Sequence, residues 1–186
     1  VRATHPTLVA AARAITAQRN TMLKRWSDWL AERSTGSRAI PPEFLDHQLG
    51  LIVDVLHAMV GPMRREVRPL WRRVTEHYGR LAATRGLAAG EVVEEMQYLR
   101  ELLIRYLAPA IAAMRPRQGM ALFLRLNRIV DQGVTMAVVG YTDALVTSLM
   151  PGDDDPPAAH FDDAATRAEF EGIASELLTI MTPAKR

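Results

Sequence analysis

Apolar residues recur every three or four positions almost from end to end of this 186-residue chain. No stretch alternates apolar and polar residues for long, so the spacing selects helices and leaves nothing for a sheet. The pattern predicts an all-α, six-helix bundle with a very long fifth helix. The first segment, about Pro6 to Arg33, sets Leu8, Ala12, Ile15, Met22, Trp26 and Leu30 on one face. Residues 34–39 read as a loop, and Pro41-Pro42 opens a second helix. There Leu45, Leu49, Ile52, Leu56, Met59 and Met63 repeat, until Gly61-Pro62 breaks the run.

The third segment, Arg64 to Arg85, gathers Val67, Leu70, Trp71, Val74, His77, Tyr78 and Leu81 within an arc of about 120°. Arg64, Arg65, Arg68, Arg72, Arg73 and Arg80 take the opposite half, and Gly86 supplies a stop. A fourth helix is expected from Glu91 to Ala108, with Pro109 kinking or ending it, and a fifth from Gln118 to Met150. Residues 151–162 are an acidic, proline-rich linker. A last amphipathic helix, Asp163 to Met181, carries Phe170, Ile173, Leu177 and Ile180. The division predicted is therefore a helical domain over 1–150, a linker over 151–162 and a connecting helix beginning at 163.

Composition narrows the function classes. With 48% hydrophobic and 24% charged residues, one domain has enough apolar material for a core, and disorder is excluded as the main state. The absence of cysteine removes disulfides, thiolate metal sites and cysteine nucleophiles, and fits a reducing cytoplasm. No signal-peptide pattern opens the chain, which starts at Val1 as a fragment or processed product does. The uncharged run between Asp131 and Asp143 is too short to span a bilayer, so a soluble protein with no membrane partner is expected. The net charge of +2 conceals a basic body, +7 over residues 1–149, and an acidic tail, −5 over 150–186.

The arginine face of the third segment has the charge for phosphate contacts, but Glu66 and Glu76 interrupt it and no aromatic residue interleaves. A solvated face, or a docking face for the acidic 153–163 segment, is the better reading, and no nucleic-acid partner is expected. Glu43 with His47, and Asp54 with His57, share helical faces, yet the chain lacks the Glu-x-x-His motif that a di-iron bundle requires. No metal or cofactor is expected. Nor is there a phosphate loop, a nucleophile elbow or an HExxH motif, so no enzyme is expected.

The informative polar residues lie inside apolar arcs. Glu95 and Arg100 fall on the buried face of the fourth helix, Asn127 and Asp131 at the apolar edge of the fifth, and His77 at the edge of the third. A charge facing a core must be paired. These five residues are therefore predicted to form one buried polar network, either fixing helix register or lining a cavity for a small-molecule ligand. Gly133, Ala137, Gly140 and Ala144 form a second feature, a stripe of small residues in the middle of the fifth helix's apolar face. Such a stripe lets another backbone approach closely, either within the bundle or across a homodimer seam.

Two segments resemble a known family. His77-Tyr-Gly-Arg-Leu-Ala-Ala-Thr-Arg-Gly86 followed by Glu94-Glu-Met-Gln-Tyr-Leu-Arg100, and Leu126-Asn-Arg-Ile-Val-Asp131 with Tyr141 ten residues on, resemble the RsbRD-type N-terminal sensor domain of the RsbT co-antagonist family. The resemblance covers about residues 8–149; the first two helices match in apolar pattern only. It implies a non-catalytic cytoplasmic input domain of a bacterial signalling protein such as a histidine kinase, acting as a homodimer through helix repacking. Its partner would be a C-terminal output domain or another signalling protein, and the sixth helix would begin the connection. Two alternatives stand beside this reading. One is a globin-like haem or tetrapyrrole sensor with His77, or less well His57, as axial ligand. The other is a purely structural dimerisation and docking module.

Overall fold

The computed structural model describes residues 6–33, 40–149 and 162–182, and all regular secondary structure among them is helical. The six helices are α1 (Pro6–Arg33), α2 (Pro42–Val60), α3 (Arg64–Thr84), α4 (Ala89–Ala112), α5 (Pro116–Leu149) and α6 (Asp163–Met181). Residues 150–161, nearly all of the acidic linker, lie outside the described residues.

Local chemistry sets the boundaries. Pro42 and Pro116 occupy first-turn positions, where a missing N–H removes no helical bond. α3 ends in a glycine cap. Gly86 adopts φ +80° and its N–H donates to the Ala83 carbonyl, while Leu87 N donates to Ala82 O. The Glu91 carboxylate then accepts from the Ala88 N–H at 2.7 Å and starts α4 two residues earlier than the apolar pattern suggests. Asp162 caps α6 through the Ala165 N–H at 2.9 Å. α4 does not stop at Ala108 but passes through Pro109 to Ala112. The carbonyl that Pro109 leaves without a helical donor belongs to Arg105, an exposed residue.

Five helices close a ring in the spatial order α1, α2, α3, α5, α4, with α4 returning to α1. α6 lies outside it, against α2 and α3. Trp26 of α1 meets Tyr78 of α3 with ring centroids 5.9 Å apart, and Trp29 stacks on Tyr98 of α4 at 4.5 Å. α2 contacts α1, α3, α5 and α6, which accounts for the unbroken buried run from Gln48 to Val53.

The tightest contact joins α3 to α5. A Cβ added at Gly79 would lie 1.8 Å from the Ala137 carbonyl oxygen, and one at Gly140 2.0 Å from that of Glu76. One at Gly133 would meet Trp71 at 2.7 Å. The stripe at Gly133, Ala137 and Gly140 thus faces α3 of the same chain, which takes the place of a second copy there. Ala144, one turn further on, is only partly buried. Two hydrogen bonds fix the register: Trp71 Nε1 donates to Ile129 O at 3.0 Å, and Tyr141 Oη to Leu87 O at 2.7 Å.

Candidate functional site

The five residues expected to form one network are distributed over four places. Glu95 sits in the core, and its partners come from α3 and the turn after it. Tyr78 Oη donates to Glu95 Oε2 at 2.6 Å. Arg85 grips the same carboxylate with both terminal nitrogens, at 3.0 and 2.7 Å. Both charged side chains are only 6% exposed. Burial works against the Arg85 charge, but the Glu95 carboxylate and Tyr78 outweigh it and hold the guanidinium above its ordinary pKa. Burial first, then the Glu95 charge, pushes the Tyr78 phenol well above its usual value, so it serves as a neutral donor.

Arg100 turns instead to α5, where it pairs with Asp131 at the surface. The Asp131 side chain is 60% exposed, and an ion pair of that kind contributes roughly 0–1 kcal/mol. Asn127 donates to the Phe123 carbonyl one turn back, at 2.9 Å. His77 faces α6, its ring edge-on to Phe170 at 5.2 Å. Its pKa is lowered to about 4, by burial first and the Arg80 charge second, with Glu169 opposing. His77 is therefore neutral at neutral pH, and its Nε2 is buried without a hydrogen-bond partner among the described residues.

α6 is held by chemistry of both kinds. Phe170 and Ile173 are fully buried; Phe170 also lies 5.0 Å from the His47 ring and 6.4 Å from Phe44. Arg73 of α3 reaches Glu169 at 3.3 Å and Glu176 at 2.8 Å. Part of the arginine face thus docks two α6 glutamates, while the 153–161 part of the acidic segment lies outside the described residues. Asp54 and His57 do not converge as metal ligands. Asp54 accepts two bonds from Arg19 of α1, at 2.6 and 2.7 Å, and His57 Nδ1 approaches Ala12 O at 3.0 Å. Among the described residues, no three His, Asp or Glu side chains are arranged to hold a metal ion.

No known protein family, curated protein or solved structure matches the chain.

The residues that helical patterning missed are Arg85 and Arg19; for Arg73 it offered a docking face, but for the 153–163 segment rather than for Glu169 and Glu176. Arg85 caps α3 with helical dihedrals, and its N–H still donates to the Leu81 carbonyl. At about 100° per residue it falls between Leu81 and Tyr78, inside the apolar arc, and that place was the available signal, because a charge facing a core must be paired. No helix among the described residues is long and apolar enough to cross a membrane.

Proposed function

We propose that the chain is a non-catalytic signal-input domain of the RsbRD type. It would serve a cytoplasmic signalling protein such as a histidine kinase, act as a homodimer, and pass helix repacking to an output module. The observation that supports this reading is the two-faced construction of α5. One face is committed to α3 through Gly133, Ala137 and Gly140. The other carries six of the nine large hydrophobic residues that the described surface exposes: Met120, Leu124, Val139, Leu145, Val146 and Leu149. Val139, Thr142, Val146 and Leu149 follow a three–four–three spacing, the seam of a two-helix coiled coil. The last buried residue of α5 is Tyr141, and the helix continues for two further turns with Val146 and Leu149 in the open. A helix end of that length is marginal without a packing partner. A second α5 in register satisfies it without placing like charges opposite each other, since Thr135, Val139, Thr142, Val146 and Leu149 are all uncharged.

Light scattering on the purified chain tests this. A dimer is expected at micromolar concentration. The paired substitutions Val146→Glu and Leu149→Glu should give a monomer with unchanged helix content. A wild-type monomer at those concentrations, or a dimer indifferent to both glutamates, removes the α5 seam.

A further inference from the structure

Ala121, Leu124, Arg125 and Arg128 share one face of α5, at spacings of three and four. The start of α3 meets that face, and Arg64 at its first position completes a pocket of about 320 Å3. Three arginines line it, and no carboxylate does. Among the described residues, none of the three forms an ion pair. Arg125 is anchored rather than neutralised. Its Nη2 donates to the Met59 and Gly61 carbonyls, both at 3.4 Å, and its Nε is buried without a partner. Burial first, then the Arg64 charge, holds this guanidinium below its ordinary pKa.

The chain has no acidic side chain to bring there. Glu66, the nearest along α3, leaves the helix about 200° around from Arg64. Asp131, the nearest along α5, is held by Arg100. Residues 1–5, 34–39 and 183–186 contain no Asp or Glu. Asp153, Asp154 and Asp155 follow Leu149, which lies about 32 Å along α5 from Arg128. Fully extended chain carries Asp155 at most about 21 Å beyond Leu149, so these carboxylates fall short. Arg64 also sits at the positive end of α3, where a cation is unfavourable, and Met63 supplies no side-chain cap. Convergent cations at a helix N-terminus are a cost that an anion offsets.

The kind of anion follows from charge and size. A carboxylate brings one charge and two oxygens. A phosphate brings nearly two charges and three free oxygens, which suits several guanidinium forks at once. The pocket is about twice the cavity known to hold benzene, so a phosphate leaves room for a small organic group. Leu124, 48% exposed, offers that group an apolar rest.

We propose that Arg64, Arg125 and Arg128 bind a phosphate dianion, either free or carried by a small monoester whose organic group lies on Ala121 and Leu124. The bound anion ties the first turn of α3 to α5 and, through Arg125, to the end of α2. The site does not rest on the input-domain reading, because Val146 and Leu149 lie toward the other end of α5.

Isothermal titration of the whole chain with phenyl phosphate, inorganic phosphate and benzoate tests it. At about 0.1 M salt, phenyl phosphate is expected to saturate one site below about 1 mM. Benzoate, of similar shape but one charge, is expected to bind at least about tenfold more weakly. Inorganic phosphate that binds as tightly as the ester assigns the site to the free ion, and weaker binding assigns it to a monoester. Arg64→Gln and Arg128→Gln should each weaken phenyl phosphate at least about fivefold. Arg105→Gln removes the same charge from an exposed position on α4 and should leave binding unchanged. Circular dichroism of the three variants should match wild type, and exposed Arg128 decides alone if Arg64→Gln loses helix content. The proposal is overturned if neither phosphate binds, if benzoate equals phenyl phosphate, or if the folded pocket variants lose no more than Arg105→Gln. A single-stranded oligonucleotide that binds through these arginines while the small phosphates do not also overturns it. Light scattering on the same samples reports the α5 seam separately, so the two readings fail independently.

Discussion

Glu95 is the charge on which the core depends, because its carboxylate is buried and gripped by Arg85 and Tyr78 at once. Removing one member of a buried pair strands the other, at a cost of roughly 3–5 kcal/mol, whereas removing both for apolar residues is often close to neutral. Glu95→Leu and Arg85→Met should each lower stability by about 3 kcal/mol, and the double variant by much less than their sum. Urea denaturation of the four proteins checks this, and strictly additive losses would show that the two residues are not a coupled unit. The sequence made the burial of Glu95 legible but assigned it the wrong neighbours. Arg100 lies five positions on, about 140° around the helix, so the two side chains leave α4 toward different elements. A wheel records which residues point inward, not which helix each inward direction meets.

At the scale of the element, α5 is governed by where backbone meets backbone. The small residues were readable as a close-approach stripe; the identity of the approaching backbone was not, because a helix of the same chain and a helix of a second copy demand the same residues. The Cβ distances decide it in favour of α3 for Gly133, Ala137 and Gly140. Gly140→Ala drives a methyl into the Glu76 carbonyl, and overpacking of that kind costs about 1–3 kcal/mol, more than the roughly 0.5–1 kcal/mol alanine gains in a helix. Gly172 of α6 supplies the contrast. Its nearest outside neighbour is 3.9 Å away, at Arg73 Nη2, so Gly172→Ala should stabilise by up to about 1 kcal/mol. Thermal melts of both variants are expected to move in opposite directions. A Gly140→Ala protein as stable as wild type would mean that the α3–α5 seam opens freely. The starts of α2, at Pro42, and of α6, at Asp163, were legible; α4 and α5 begin two residues before the apolar spacing suggests, at Ala89 and Pro116. The end of α4 was not legible, because Pro109 interrupts only one carbonyl and the exposed helix continues past it.

For the molecule as a whole, the question is how firmly α6 belongs to the ring of five helices. Its apolar stripe of Phe170, Ile173, Leu177 and Ile180 was legible in the sequence, and so was its start at Asp163. Its direction was not, since a helix leading toward another domain and a helix folding back on its own bundle present the same stripe. It folds back, and its anchorage centres on the Phe170 ring against Phe44, His47 and His77, with Ile173 buried beside it and the partly exposed bonds from Arg73 assisting. Truncating a buried phenylalanine costs about 3–5 kcal/mol. The Arg73 pairs are exposed enough to contribute little in compensation. Phe170→Ala should therefore release α6 while leaving the ring intact. Amide exchange in α6 is expected to rise at least tenfold over wild type, with exchange in α3 and α5 unchanged, as for an element that opens by itself. If α6 and α5 instead lose protection in step, the sixth helix is an integral layer of the core. A signal would then have to act on the whole bundle rather than on one detachable helix.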